Sequence, residues 1–194
     1  MSMQNYFTKL FQEISKKDVS IAGGKGASLG EMYNSGIPVP PGFVILSSGF
    51  EQFLEESGLN VEIRAALEGV NLKEMHTIEN ASEEIQAMIL SRSIPKEIET
   101  EILEQFKELN CKYVAVRSSA TSEDSASAAW AGQLDSYLNT TSKDLLKNVR
   151  RCWASLFTPR AIFYRFEKEL HQQHISVAVV VQKMVESEVS GIAF

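Results

Sequence analysis

Two clusters in this sequence have residue types and spacings suited to holding an anion. The first is Ile21-Ala22-Gly23-Gly24-Lys25-Gly26-Ala27-Ser28-Leu29-Gly30. Glycines around a lysine let the backbone approach a ligand closely. Leu29, Met32, Tyr33 and Gly36 follow at i, i+3, i+4 and i+7, the period of a helix with one packed face. The pattern reads as a Gly-rich turn that opens a helix, whose free N–H groups and dipole favour negative charge. It is not a P-loop, because Gly26 follows Lys25 where that motif needs Ser or Thr. A tight structural turn with a surface lysine is the alternative at this point.

The second cluster spans residues 114–138. Val114-Ala115-Val116 reads as a short buried strand ending on Arg117. Ser118, Ser119, Ala120, Thr121 and Ser122 follow, then Glu123, Asp124 and more small residues up to Trp130. These read as a hydroxyl-rich loop with little apolar area to bury, the internal segment expected to open most easily. Residues 133–138 alternate well enough to be the return strand. A guanidinium at a strand end, followed by exposed backbone donors, suits phosphate oxygens. A Ser/Ala-rich surface linker is the competing reading.

Both clusters need elements to position them. Phe7, Leu10, Phe11 and Ile14 have near-helical spacing. Residues 36–42, GIPVPPG, form a stiff connector into a short strand over 43–46. Ser48 with Glu51 forms a candidate capping box for a helix carrying Phe50, Phe53 and Leu54, with Gly58 as its stop. Helical patterns follow over 61–70 and 74–90. A third starts after Pro95, packs through Ile98, Ile102, Phe106 and Leu109, and ends at Asn110. Residues from about 51 to 110 thus read as a helical insertion. Beyond the second cluster, Ser142 is a candidate cap for a helix carrying Leu145, Val149, Cys152, Trp153 and Leu156, and Thr158-Pro159 restarts another. His171 and His174 lack a third ligand nearby and read as a wet helix end, and His76 is equally plain. Residues 177–185 form an apolar strand, 186–188 a turn, and 189–194 an antiparallel return strand. The chain stops inside that last apolar run, which reads as a fragment.

The 194 residues are enough for one domain or two small lobes. A net charge of −6 argues against a nucleic-acid partner, though a nucleotide needs only a few local cations. Cys111 and Cys152 make neither a disulfide framework nor a zinc spacing and fit a reducing compartment. No apolar run reaches membrane-spanning length and no signal-peptide core opens the chain, so the expectation is a cytoplasmic protein with no membrane partner.

Five blocks, taken in order, carry a resemblance: GGKGASLGEM, GIPVPPGFVI, VAVRSSATSED, AGQLDSYLN and VVVQKMVESEVSGIAF. Together they resemble the amino-terminal nucleotide-binding domain of the phosphoenolpyruvate synthase and pyruvate phosphate dikinase family, which rifampicin phosphotransferases share. The likeness runs over about residues 18–194 and is vaguest in the helical insertion. It implies an α/β (α+β), ATP-grasp-like fold with a mixed sheet, here truncated, with residues 1–194 as the amino-terminal part of the domain. ATP would lie between two lobes. Lys25 and Arg117 resemble the family's phosphate contacts, and Arg92 a further one. Gly132 and Ser136 stand where the family places a loop and strand beside the nucleotide; Thr is common at the latter position, and Ser keeps its hydroxyl. Gln182 matches the glutamine at the adenine end, and Met184 and Val185 would offer backbone groups to the adenine edge. The ligands for Mg2+ are expected beyond Phe194, as are a domain with a phosphorylated carrier histidine and one that binds pyruvate or a drug. The resemblance therefore implies the ATP-binding portion of a phosphoenolpyruvate synthase-like phosphotransferase. A rifampicin phosphotransferase and a non-catalytic nucleotide-binding module are the alternatives. Exposed strand edges would promote self-association.

Overall fold

The computed structural model describes residues 6–121, 135–169, 176–189 and 191. Its centre is β5 (Val177–Lys183), whose first five residues, all Val or Ala, are buried in both directions. Such a continuous apolar run suits a strand covered on two faces. Around it lie β1 (Thr8–Leu10), β2 (Gly42–Ile45), β3 (Val114–Ala120) and β4 (Ser136–Thr140), in the order β1-β2-β5-β3-β4.

Every described pairing in this sheet is antiparallel, where a mixed sheet was expected. The reason lies in the insertion of β5. Strands β2 and β3 both run antiparallel to β5, so they point the same way, and helices connect them. A helical crossover of that kind normally leads to a hydrogen-bonded parallel pair. Here β5 separates the two strands and takes the ladder bonds from both.

Alternate residues face opposite sides of the sheet. Val44, Ala178 and Val180 meet Phe11, Ile14 and Ala22 on the side covered by α1 (Val19–Asn34). Phe43, Ile45, Val114, Val116, Val177, Val179 and Val181 face a larger helical layer. That layer holds α2 (Ser47–Glu56), α3 (Leu59–Glu68), α4 (Met75–Ser91), α5 (Lys96–Glu108), α6 (Leu145–Ala154) and α7 (Pro159–Glu167). Trp153 anchors it, with its ring centroid 4.9 Å from Phe53 and 5.7 Å from Phe50. Each such aromatic contact adds roughly 0.5–1.5 kcal/mol to the burial of the rings.

Several local expectations change. Residues 8–10 form the edge strand β1 and Phe11–Glu13 a single 3-10 turn, not a helix. Pairing with β2 offers Thr8–Leu10 a backbone ladder that the short helical pattern could not match. Helix α2 starts at Ser47 with Leu46 at its N-cap, and the Ser48 hydroxyl finds no hydrogen-bond partner among the described residues, so no capping box forms there. Asp144, not Ser142, stands at the N-cap of α6. Thr158 does cap α7, accepting from the Ala161 N–H at 3.3 Å, with Pro159 in the first turn. Asn110 takes a left-handed φ of 43° just after α5, the conformation that ends a helix.

The largest revision concerns the second cluster. Strand β3 does not stop at Val116 but continues through Arg117, Ser118 and Ser119 to Ala120, each paired with β5. Ser118 and Ser119 are fully buried in it. Residues 118–120 of the lid expected over 118–130 are therefore paired strand, and residues 122–130 lie outside the described residues. The return strand is β4, with one extra residue opposite Val114–Val116 and Asn139 at φ 52° absorbing the bulge. Residues 184–189 follow β5 without strand structure, and the expected return strand falls largely outside the described residues.

Candidate functional site

Gly23 decides how the glycine cluster folds. It breaks α1 with φ 68° and ψ 169°, and the helix restarts behind it. A Cβ at this position would fall on the Ser119 hydroxyl, 2.5 Å from the Ser119 carbonyl oxygen and 2.7 Å from that of Ala120. Only glycine satisfies both the positive φ and this close approach.

The restarted helix presents its first N–H groups to β3. Those of Lys25 and Gly26 donate to the Ser119 Oγ at 3.1 and 3.3 Å. They were expected to be free for an anion; instead a buried serine hydroxyl caps them. The Lys25 Nζ donates to the Ser118 carbonyl at 2.8 Å. Three hydrogen bonds thus tie the glycine turn to a strand more than 90 residues away.

Lys25 is half-buried, and desolvation lowers its ammonium pKa below the ordinary lysine value. The Arg117 guanidinium nearby lowers it further, while Cys152 opposes the shift. Among the described residues neither Lys25 nor Arg117 is in an ion pair. Two neighbouring cations, at least one of them desolvated and neither paired among the described residues, form a place where a polyanion gains the most.

The sheet register brings further candidates to the same side. Arg117 pairs with Ser136 on β4 and with Val180 on β5. Val180 packs toward α1, and directly paired residues share a face, so Arg117 and Ser136 belong to the α1 side. Gln182 pairs with Ala115, two residues from Arg117, and shares that side. Its Nε2 donates to the Pro40 carbonyl at 3.1 Å, which fastens the amide to the proline connector. Opposite Gln182 on β2 stands Gly42, where a Cβ would meet the Val181 carbonyl oxygen at 2.5 Å and the Phe11 ring at 2.6 Å.

Met184 donates its N–H to the Tyr113 carbonyl at 3.0 Å, extending the β3–β5 pairing by one bond. That donor is in use, which leaves the Met184 carbonyl as its offer to a ligand. Val185 follows on the exposed surface. Gly132 lies outside the described residues. Arg92 stands apart, at the end of α4, whose apolar side belongs to the helical layer on the opposite face of the sheet. Its guanidinium is 3.2 Å from Glu62, and its carbonyl accepts from Arg150 at 2.8 Å.

Sequence reasoning missed Ser118 and Ser119 as fasteners. The available signal was the long valine run of β5, which needs an equally long neighbour. Ser118 is held from the β4 side as well, donating its N–H at 3.1 Å and its Oγ at 2.9 Å to the Asp135 carbonyl. The Asp135 carboxylate accepts from the Tyr137 hydroxyl at 2.7 Å, and desolvation together with this bond pushes the Tyr137 phenol upward. Among the described residues no group of three or more His, Cys, Asp or Glu is placed to hold a metal. No described helix is long and apolar enough to cross a membrane.

The sequence pattern of the family described as "Pyruvate phosphate dikinase, AMP/ATP-binding domain" matches residues 19–194. The chain belongs to this AMP/ATP-binding domain family. The α/β arrangement and its antiparallel sheet fit the ATP-grasp-like fold expected of such a domain. Among similar proteins is a probable phosphoenolpyruvate synthase of Methanothermobacter thermautotrophicus, 44% identical over 97% of this chain and 28% of the relative. Its counterpart in Methanocaldococcus jannaschii is 43% identical, over 97% of this chain and 16% of the relative. A rifampicin phosphotransferase of Bacillus cereus is 39% identical over 95% of this chain and 22% of its own length. The AMP/ATP-binding domain described here thus spans under a third of the relatives it matches.

Proposed function

We propose that this chain is the ATP-binding part of a phosphotransferase of the phosphoenolpyruvate synthase (pyruvate, water dikinase) type. The convergence of Lys25 and Arg117, two cations without a described counter-ion, supports this reading most. Lys25 Nζ and the Arg117 guanidinium would take phosphate oxygens, with the Ser136 hydroxyl and Gly132 beside the nucleotide. Gln182 would stand at the adenine end, with the backbone of Met184 and Val185 along the adenine edge. Arg92, paired with Glu62 in the helical layer on the opposite face of the sheet, would stay outside this site. Positioning and charge neutralisation are the main tools of a protein in phosphoryl transfer. Lys25 and Arg117 supply part of that neutralisation. Mg2+, held by residues beyond this chain, would supply the rest.

In the longer protein ATP would end as AMP. One phosphoryl group would pass through a carrier histidine of a further domain to the acceptor, and the other to water or phosphate. The free cysteines Cys111 and Cys152 support a cytoplasmic location for it. Calorimetry with the 194-residue chain is expected to give ATP binding weaker than that of a polypeptide extended toward the length of the relatives. The short chain should form no AMP from ATP and pyruvate, and sedimentation should show it self-associating through exposed strand edges. No ATP binding by either polypeptide would refute the reading. The match to a rifampicin phosphotransferase supports a second one, in which the extended protein forms AMP with rifampicin as acceptor and not with pyruvate.

The lowered pKa of Lys25 gives a pH dependence with two opposite signs. Between the folded-state pKa and the ordinary value of 10.5, the unfolded chain binds more protons at this residue than the folded one. Stability contributed at Lys25 therefore rises as pH climbs through that window. Phosphate binding falls over the same window, because the ammonium loses its charge. Subtracting the profiles of Lys25→Met from those of the wild type isolates both trends. Parallel trends in stability and ATP affinity would contradict the assignment of Lys25 to the phosphates.

A further inference from the structure

We infer that Ser119 is a positioning residue for the phosphate-binding side of this site, acting through Lys25; this rests on the nucleotide reading above. Ser119 carries no charge and is fully buried, so it is not itself a phosphate contact. Its hydroxyl accepts both the Lys25 and the Gly26 N–H groups, at 3.1 and 3.3 Å. Its carbonyl oxygen and that of Ala120 form the wall against which Gly23 turns with φ 68°. The residue before it, Ser118, holds the Lys25 ammonium by its carbonyl at 2.8 Å.

The backbone and the side-chain end of Lys25 are therefore both referenced to the same two residues of β3. Arg117, the other cation, is the next residue on that strand. Arg117, Ser118 and Ser119 pair in unbroken register with Val180, Val179 and Ala178 of β5, so the strand is a rigid ruler between the two charges. One hydroxyl on that ruler fixes where the helix restarts, and hence where Lys25 sits relative to Arg117. Without the hydroxyl, the buried Gly26 N–H and the part-buried Lys25 N–H lose their acceptor, and the turn shifts to find water or another partner. The separation of the two cations then ceases to match that of the phosphate oxygens.

The test uses the 194-residue chain with Ser119→Ala, and Ser119→Cys as a variant of similar volume with a weak sulfur acceptor. Amide hydrogen exchange without nucleotide reads the cap itself. The Lys25 and Gly26 amides should exchange at least about tenfold faster in Ser119→Ala than in the wild type, with Ser119→Cys in between. Titration with ATP and with adenosine reads its consequence. The ATP dissociation constant should rise about 5- to 10-fold in Ser119→Ala, while that for adenosine, which has no phosphates, changes by less than about twofold. Equal losses for ATP and adenosine would make Ser119 a merely structural residue and overturn the inference, as would unchanged ATP affinity with the two amides deprotected. If the wild type binds adenosine but gains nothing from the phosphates, the nucleotide-site reading falls first and this inference with it. Should Ser119→Ala fail to fold, Ser119→Cys alone must show the split between ATP and adenosine, and absence of that split overturns the inference.

Discussion

Gly23→Ala is expected to destabilise the chain by about 3 kcal/mol, from the strain of a positive-φ, extended-ψ backbone that only glycine adopts readily plus forced overpacking against β3. The methyl group would land on the Ser119 hydroxyl and within 2.5 Å of a carbonyl oxygen in the sheet. Neither neighbour can swing away, because the hydroxyl is capping a helix and the carbonyl belongs to a paired strand. For a chain of this size the melting temperature should fall by roughly 6–12 °C. Gly24→Ala is the matched control. A Cβ there meets nothing within 4 Å and φ is not positive, so the change should lie within about 1 kcal/mol of neutral or stabilise the helix. Thermal melts of the two variants side by side decide the matter. Similar melting temperatures would mean that the turn can be rebuilt without glycine and that its fit against β3 is not what holds it.

ATP affinity is expected to fall about 10- to 100-fold in Lys25→Met, and by a similar factor in Arg117→Met, the usual cost of losing a charge-assisted contact. Folding should suffer far less. The Lys25 ammonium is desolvated and repelled by Arg117, so its neutral replacement relieves a cost while giving up only the bond to the Ser118 carbonyl. Binding and stability should therefore separate: a large change in the dissociation constant with a melting temperature within a few degrees of the wild type. The double variant should lose less than the product of the two single losses. Each cation in the pair raises the cost of the other, and neighbours that share one ligand are not additive. Calorimetric titration of the three variants reads all of this, and unchanged ATP affinity in either single variant would remove that residue from the site. Arg92→Ala, by contrast, should leave ATP affinity nearly unchanged, because Arg92 lies with Glu62 in the helical layer on the other face of the sheet from Lys25 and Arg117.

The sequence by itself determined the parts whose signal is local. The valine run of β5, the packed faces of α4 to α6, the Thr158-Pro159 start of α7 and the glycine–lysine turn each depend on side chains within one or two turns of each other. The five ordered blocks identified the nucleotide-binding domain for the same reason, since each is a short continuous motif. Tertiary structure alone decided that residues 8–10 are a strand, because β2 offers them a ladder they cannot make alone. It decided that β5 separates β2 from β3 and so leaves every described pair antiparallel. It also decided the fate of Ser118 and Ser119. Serine is small and polar enough for a loop, and small enough for a buried strand when its hydroxyl finds a partner. Local sequence is neutral between those outcomes. The choice fell to β5 on one side and to the N–H groups of Lys25 and Gly26 on the other, both far away in the chain. The separation of Arg92 from Lys25 and Arg117 has the same origin: a motif carries residue types, and only the packed sheet says which face each one reaches.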